Sequence, residues 1–259
     1  MTGLLDGIRV LDFTQMVSGP VCTRMMAEIG AEVIKVELAP NGDYGRTLPA
    51  FRNGRSAYFV QHNRGKQSLC IDIRKPEAAA LVRALVAKVD VVVENFSPGV
   101  IARLGFGWDV VRTVNPKAIM CSISAFGQTG PLRDLPGFDY VAQAVSGVTS
   151  MTGDPDRPPS LIGLAPGDVG TGITALSAIN AALFRRERDG KGRFIDISLL
   201  DFYFHCHEIN VQVASMGHWA PVRSGSQHGA VSPIGIFATR TGPIFIVVLA
   251  PMWPRLLEA

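Results

Sequence analysis

The chain opens on a short apolar run, Ile8 to Phe13, rich in residues that favour extended backbone, and Ser18-Gly19-Pro20 breaks it. From Val21 to Ile29 the pattern becomes helical, with Pro20 at the first position and Gly30 just past the end. Val33 to Glu37 is extended again. Such a β-α-β unit favours a parallel sheet with right-handed crossovers. The alternation continues: Ser68 to Ile73, Val89 to Glu94, Ala118 to Ile123 and Phe194 to Ser198 read as strands. Val89 to Glu94 is apolar at nearly every position, as parallel strands buried on both faces are. Between them, Pro76 to Lys88 reads as a helix with Ala79, Leu81, Val82, Leu85 and Val86 as its apolar positions. Shorter helices are predicted over Val100 to Leu104, Trp108 to Val114 and Asp139 to Val148, and Ser56 to Val60 fits either state. The expectation is an α/β fold, a doubly wound, mostly parallel, Rossmann-like sheet. Ligands in such sheets sit beyond the carboxyl ends of the strands, here near Val17, Leu38, Arg74, Asn95 and Ser124.

The longest helical pattern follows the glycine-rich approach Gly163-Leu-Ala-Pro-Gly-Asp168-Val-Gly-Thr-Gly172. Asp168 stands where an N-cap would stand, and Ile173, Leu176, Ile179, Ala182 and Leu183 form an apolar stripe behind it. The small residues Gly170, Gly172, Ala175, Ala178 and Ala181 would let that helix pack closely. Arg185, Arg186, Arg188, Lys191 and Arg193 at its end read as charge complementing a helix C-terminus on a solvated face. Leu199 to Met216 is predicted as one further helix. Residues 217–232 change character, with Gly, Ser, His and Pro throughout. Ile234 to Ala238 and Ile244 to Leu249 then form a hairpin across Arg240-Thr241-Gly242. The organisation expected is one domain over residues 1–216, then a linker and the start of a smaller domain over 217–259. The chain stops within a new helical pattern, so a truncated form of something longer is expected.

Composition narrows the chemistry. A hydrophobic content of 47% over 259 residues suffices for one large or two modest cores. A net charge of +3 is too small to predict nucleic-acid binding. Cys22, Cys70, Cys121 and Cys206 are scattered, which favours a reducing compartment. No signal peptide or bilayer-spanning run is evident, so a cytoplasmic protein is expected. His205 and His207 are two apart on a predicted helix and lack a third ligand, so no metal site is expected. The first strand–helix turn lacks Gly-x-Gly-x-x-Gly, and Ser122 and Ser124 lack a Gly-x-Ser-x-Gly elbow. A nicotinamide dehydrogenase and a serine hydrolase are both disfavoured. Two readings of Asp168 remain: a helix cap, or a nucleophilic carboxylate kept in its charged form by the helix N-terminus. Arg64, Lys66, Arg74, Lys75 and Arg103 fall near predicted loop or strand ends; alone they would be ordinary surface charge, and gathered at one edge of the sheet they could hold an anionic ligand with several phosphates.

Several segments together carry a resemblance: Leu5-Asp6-Gly7-Ile8-Arg9-Val10-Leu11-Asp12, Gly30-Ala31-Glu32-Val33-Ile34-Lys35-Val36-Glu37, Asn63-Arg64-Gly65-Lys66, Val93-Glu94-Asn95-Phe96 with Pro98-Gly99, Gly127-Gln128-Thr129-Gly130-Pro131, Gly137-Phe138-Asp139, and Asp168 with Gly172. In this order they resemble the family III CoA-transferases, of which formyl-CoA transferase is the best-known type. The resemblance implies a nucleophilic aspartate at Asp168. It implies coenzyme A, as substrate and acyl carrier, against Val17, Ser18, Ile71, Asp72, Ile73, Arg74, Asn95, Phe96, Ser97, Arg103, Pro136, Gly137, Phe138 and Asp139. The other partner would be a small carboxylic or dicarboxylic acid, with succinyl-CoA among the donors. An intertwined homodimer is implied for the full-length form, and no nucleic acid or membrane. Gly225 to Pro233 is similar to the family's glycine-containing flap, whose backbone N–H groups, with those near Gly170, would face the oxyanion. Leu38 departs from the pattern, where a basic residue is usual. The related α-methylacyl-CoA racemases place a His where Phe138 stands and a Glu where Ala250 stands, so a transferase is preferred. A catalytically silent CoA-binding or assembly subunit is the alternative of another class.

Overall fold

The computed structural model describes residues 3–218 and 220–258. In chain order the elements of the first part are β1 (Arg9–Asp12), α1 (Ser18–Glu28), β2 (Glu32–Glu37), α2 (Ala57–Asn63), β3 (Gln67–Cys70), α3 (Pro76–Val86), β4 (Val91–Glu94), α4 (Val100–Arg103), α5 (Trp108–Val114) and β5 (Ile119–Ser124). There follow α6 (Asp139–Val145), α7 (Val148–Met151), α8 (Pro166–Asp189), β6 (Arg193–Ser198), α9 (Leu199–His205), α10 (Asn210–Ser215), β7 (Ile234–Thr239), β8 (Gly242–Val247) and α11 (Trp253–Glu258). The chain divides into two compact units, residues 1–142 with 165–202 and residues 143–164 with 203–259. The boundary expected at residue 217 falls inside the second unit.

The first unit is built on a six-stranded sheet in the order β3-β2-β1-β4-β5-β6. Every neighbouring pair is parallel. Register follows side-chain parity. Leu11 pairs with Val92 and Val92 with Met120, and these three join one core with Val82 and Val86 of α3 and Val111 of α5. The opposite face carries α1 and α8, which pack on each other, with α8 also reaching β5 and β6. All four residues of β4 are buried, as its apolar pattern predicts.

One charge system lies inside this unit. Asp12, fully buried at the end of β1, accepts from Thr14 N (2.8 Å), Thr23 Oγ1 (2.7 Å) and Lys66 Nζ (2.9 Å). Burial alone would raise its pKa. Lys66, Lys35 and the two threonine hydroxyls outweigh burial and hold it down at about 2. Lys35 pairs with Asp43 at 2.9 Å, and Arg46 pairs with Glu37 at 2.6 Å. Breaking one member of such a buried set leaves an uncompensated charge, typically at a cost of about 3–5 kcal/mol.

In the second unit Gln143 is fully buried, and its Oε1 accepts from Thr149 Oγ1 (3.2 Å) and Ile162 N (3.4 Å). Arg223 ties residues 150–155 by donating to the carbonyls of Ser150 (3.0 Å) and Asp154 (3.1 Å). β7 and β8 form the expected antiparallel hairpin. The single helix expected over Leu199 to Met216 is two, α9 and α10, with residues 206–209 non-helical between them. His207, in that break, bonds the Ser146 carbonyl through Nε2 at 2.8 Å, a tertiary contact that periodicity does not register. No helix among the described residues is long and apolar enough to cross a membrane.

Candidate active site

The strand order reverses direction between β1 and β4. Their crossovers leave to opposite sides, which opens a crevice beyond their carboxyl ends. A cavity of about 260 Å³ lies there. Its walls are residues 15–18 after β1, 95–98 after β4, 123–126 at the end of β5, Arg133 and residues 135–138, with Tyr58, Leu199 and Asp168.

Two glycines bring Asp168 to this place. A Cβ on Gly172 would sit 2.5 Å from the Ser18 carbonyl oxygen, and one on Gly170 would sit 1.9 Å from the Phe202 ring. Only glycine lets α8 cross α1 this closely and keep Phe202 where it is. Gly170 is thereby accounted for by packing inside the helix. The helix starts earlier than expected. Pro166, not Asp168, opens it, the N-cap is Ala165, and Asp168 is the third helical residue. Pro166 suits the first position because its fixed φ fits the helix and it lacks an N–H that would go unpaired there. Asp168 is therefore not the cap.

Its backbone N–H donates to Asp139 Oδ2 at 2.8 Å, and Asp139 is buried at the start of α6. The helix N-terminus favours an anion at Asp168. Burial opposes it, the Asp139 carboxylate adds like charge, and the Asp168 carboxyl is raised to about 7. Burial and the neighbouring like charge thus work against the helix-stabilised anion that the sequence leads one to expect. Tyr58, on α2, is pushed up to about 12 by burial and by the Asp168 charge. Ser124 Oγ is buried in the wall, with no hydrogen-bond partner among the described residues.

The loops facing Asp168 are fastened to each other. Gln15 N donates to Asn95 Oδ1 and Asn95 Nδ2 donates to Gln15 O, each at 2.8 Å. Phe96 N donates to Glu94 Oε2 at 2.8 Å. Glu94 is buried, and burial raises its carboxyl to about 7.

Of the residues singled out in the sequence, Val17, Ser18, Asn95, Phe96, Ser97, Pro136, Gly137 and Phe138 line the cavity with Asp168. Ile71, Ile73 and Arg74 line a second, smaller cavity of about 100 Å³ with Leu38, Val36, Phe13 and Leu104, which shares Gln15 and Phe96 with the first. Asp72, Arg103 and Asp139 line neither. The basic set is partly engaged within the protein. Lys66 is buried against Asp12 and Asn63 Oδ1, and Arg64 pairs with Glu28 at 2.6 Å. Arg74 is held by Asp72, Nε to Oδ1 at 2.8 Å and Nη2 to Oδ2 at 3.0 Å. Three of the five cations thus already have carboxylate partners. Sequence reasoning missed Gln15, Met16, Tyr58 and Arg133. Tyr58 lies in the stretch whose state was ambiguous, and nothing in the sequence distinguishes Met16 or Arg133.

The family model for CoA-transferase family III matches residues 5–259. The chain belongs to CoA-transferase family III. It is 41% identical over 252 residues to a succinate–glutarate CoA-transferase of Agrobacterium fabrum, covering 94% of this chain and 63% of that protein. It is 37% identical over 243 residues to the human succinyl-CoA:glutarate CoA-transferase, covering 93% of this chain and 56% of that protein. A formyl-CoA:oxalate CoA-transferase of Rhodopseudomonas palustris is 38% identical over 243 residues, covering 93% and 57%. Among solved structures, a CAIB/BAIF family protein from Brucella suis superposes with a TM-score of 0.89 at 35% identity, over 100% of this chain and 70% of that one. The chain spans 56–63% of the length of these curated family III relatives.

Proposed function

We propose that the protein transfers coenzyme A from an acyl-CoA to a free dicarboxylic acid, with Asp168 as the nucleophile. The observation that carries this reading is a single carboxyl, raised to about 7, in a cavity at the switch point of the parallel sheet. In the proposed cycle an Asp168 carboxylate oxygen attacks the thioester carbonyl carbon. The C–S bond breaks, and CoA leaves as thiolate from a mixed anhydride. The thiolate then attacks the Asp168 side-chain carbon, releasing the first acid as its carboxylate and leaving an aspartyl-CoA thioester. The acceptor carboxylate attacks that thioester, forming a second anhydride and freeing the thiolate again. Attack of the thiolate on the acceptor's carbonyl carbon yields the new acyl-CoA and restores Asp168. Covalent catalysis divides one hard exchange into easier steps, provided water is kept from the anhydrides.

Val17, Ser18, residues 95–97 and residues 136–138 are the proposed contacts for the acyl and pantetheine end. Ile71, Ile73 and Arg74 are proposed for the far end of CoA, with Asp72, Arg103 and Asp139 in supporting roles. The names of the relatives favour succinyl-CoA as donor and glutarate as acceptor. The exposed apolar side chains Val141, Ile173 and Phe184 of the first unit support an assembly larger than this chain, and a homodimer is proposed. Four free cysteines support a reducing, cytoplasmic setting. Phe138, in place of a proton-shuttling histidine, lines the cavity and argues against racemase chemistry.

The test is direct. The protein is incubated with succinyl-CoA and glutarate, and glutaryl-CoA is followed by chromatography with mass detection. Product from the wild type and a loss of at least 1,000-fold in Asp168→Asn are expected. Equal rates in the two would contradict the proposal.

A further inference from the structure

Met16 is a residue with a side chain in left-handed backbone, φ +66°, and it lines the cavity beside the proposed nucleophile. Such a conformation is disfavoured about tenfold for a residue bearing a Cβ and persists only where its surroundings impose it. What imposes it here is visible on both sides. Before it, Thr14 is bound to Asp12 through its N–H and hydroxyl, and its carbonyl accepts from Lys35 Nζ. At Gln15 the Asn95 amide takes both the backbone N–H and the backbone carbonyl, each at 2.8 Å. Asn95 Nδ2 also reaches Ser18 Oγ at 3.3 Å, on the far side of the turn. Both donor hydrogens of that amide thus have partners within the protein. Its neighbour Glu94 accepts from Phe96 N, fixing the loop that carries the amide.

We infer that Asn95 is a positioning residue: its side-chain amide holds the Gln15–Ser18 turn in the strained conformation that shapes the wall facing Asp168. The inference rests on the transferase reading only for its rate measurement. If Asn95 enforces strain at Met16, a glycine there, which adopts φ +66° without penalty, makes the clamp less necessary. Alanine at position 16 removes the same side chain but keeps the Cβ, and serves as the control.

The experiment compares Asn95→Ala, Asn95→Asp, and Asn95→Ala combined with Met16→Gly or with Met16→Ala, by steady-state transfer kinetics and by crystal structures. Asn95→Ala is expected to lower kcat at least tenfold with KM for the acyl-CoA within threefold, and residue 16 moves to negative φ. Adding Met16→Gly recovers at least threefold in kcat, and adding Met16→Ala recovers nothing. Asn95→Asp keeps the acceptor and loses the donor, so it falls between wild type and alanine, and it replaces Asn95→Ala if that variant does not fold. Retention of positive φ at Met16 with kcat within twofold overturns the inference, as does equal recovery by glycine and alanine. A wild-type protein that transfers nothing would sink the transferase reading instead, and the φ of residue 16 in the Asn95 variants would then decide the clamp by itself.

Discussion

At the scale of the residue, the chemistry turns on one proton. Asp168 has a carboxyl at about 7, raised first by burial and then by Asp139. The proposed nucleophile is the ionised form, so kcat/KM should rise with pH and level off above an apparent pKa near 7. Asp139→Asn removes the like charge and keeps an oxygen to accept the Asp168 N–H, so the pH–rate profile should move to lower pH. A profile that does not move would mean that burial alone sets the value. The same shift has a stability sign. A folded-state pKa above the unfolded one means that the native protein binds more protons between about 4 and 7, and stability falls as pH rises through that window. Asp168→Asn should therefore raise Tm at pH 8 and leave it nearly unchanged at pH 4. The difference is on the order of 4 kcal/mol at most. Glu94, also raised to about 7, adds a contribution of the same sign in both proteins.

At the scale of the element, α8 is the part on which the site depends, because its close crossing of α1 sets how far Asp168 stands from Val17 and Ser18. Gly172→Ala gains helix propensity of roughly 0.5–1 kcal/mol but drives a Cβ to 2.5 Å from a backbone oxygen that has little room to move. The clash should win, with a net loss of about 1–3 kcal/mol in denaturant unfolding and a fall in kcat. Gly163→Ala, which meets open space, should change neither by much. The helix itself was legible from period, since Leu176, Ile179 and Leu183 are buried as the stripe predicts. Ile173 is half exposed, and the start was misplaced because Asp168 satisfies the pattern of a cap while Pro166 satisfies the geometry of a first residue. The parallel sheet was legible as a class, though not its strand order, because buried parallel strands announce themselves in runs such as Val91–Glu94. The break between α9 and α10 was not, because the tertiary hydrogen bond between His207 and the Ser146 carbonyl that accompanies it leaves no mark in the periodicity.

At the scale of the whole molecule, the sequence exposed most of the segments that line the candidate site and hid which charges are already taken. Lys66 and Arg64 read as free cations beside a strand end, yet Asp12 and Glu28, 54 and 36 positions away, neutralise them. Only the fold brings such partners together. For the same reason Tyr58 and Gln15 were missed: neither belongs to a recognisable pattern, and each reaches the cavity through packing. What the molecule as a whole offers is a parallel sheet whose switch-point cavity holds the Asp168 carboxyl, the proposed nucleophile, in a chain belonging to CoA-transferase family III. The central claim is that this nucleophile becomes acylated. It is tested most directly by mixing the protein with succinyl-CoA and hydroxylamine, without an acceptor acid, and examining the peptide that contains Asp168 by mass spectrometry. An aspartyl hydroxamate at Asp168, appearing only when succinyl-CoA is present, is the result predicted. An unmodified Asp168 in protein that still carries out CoA transfer would contradict the account.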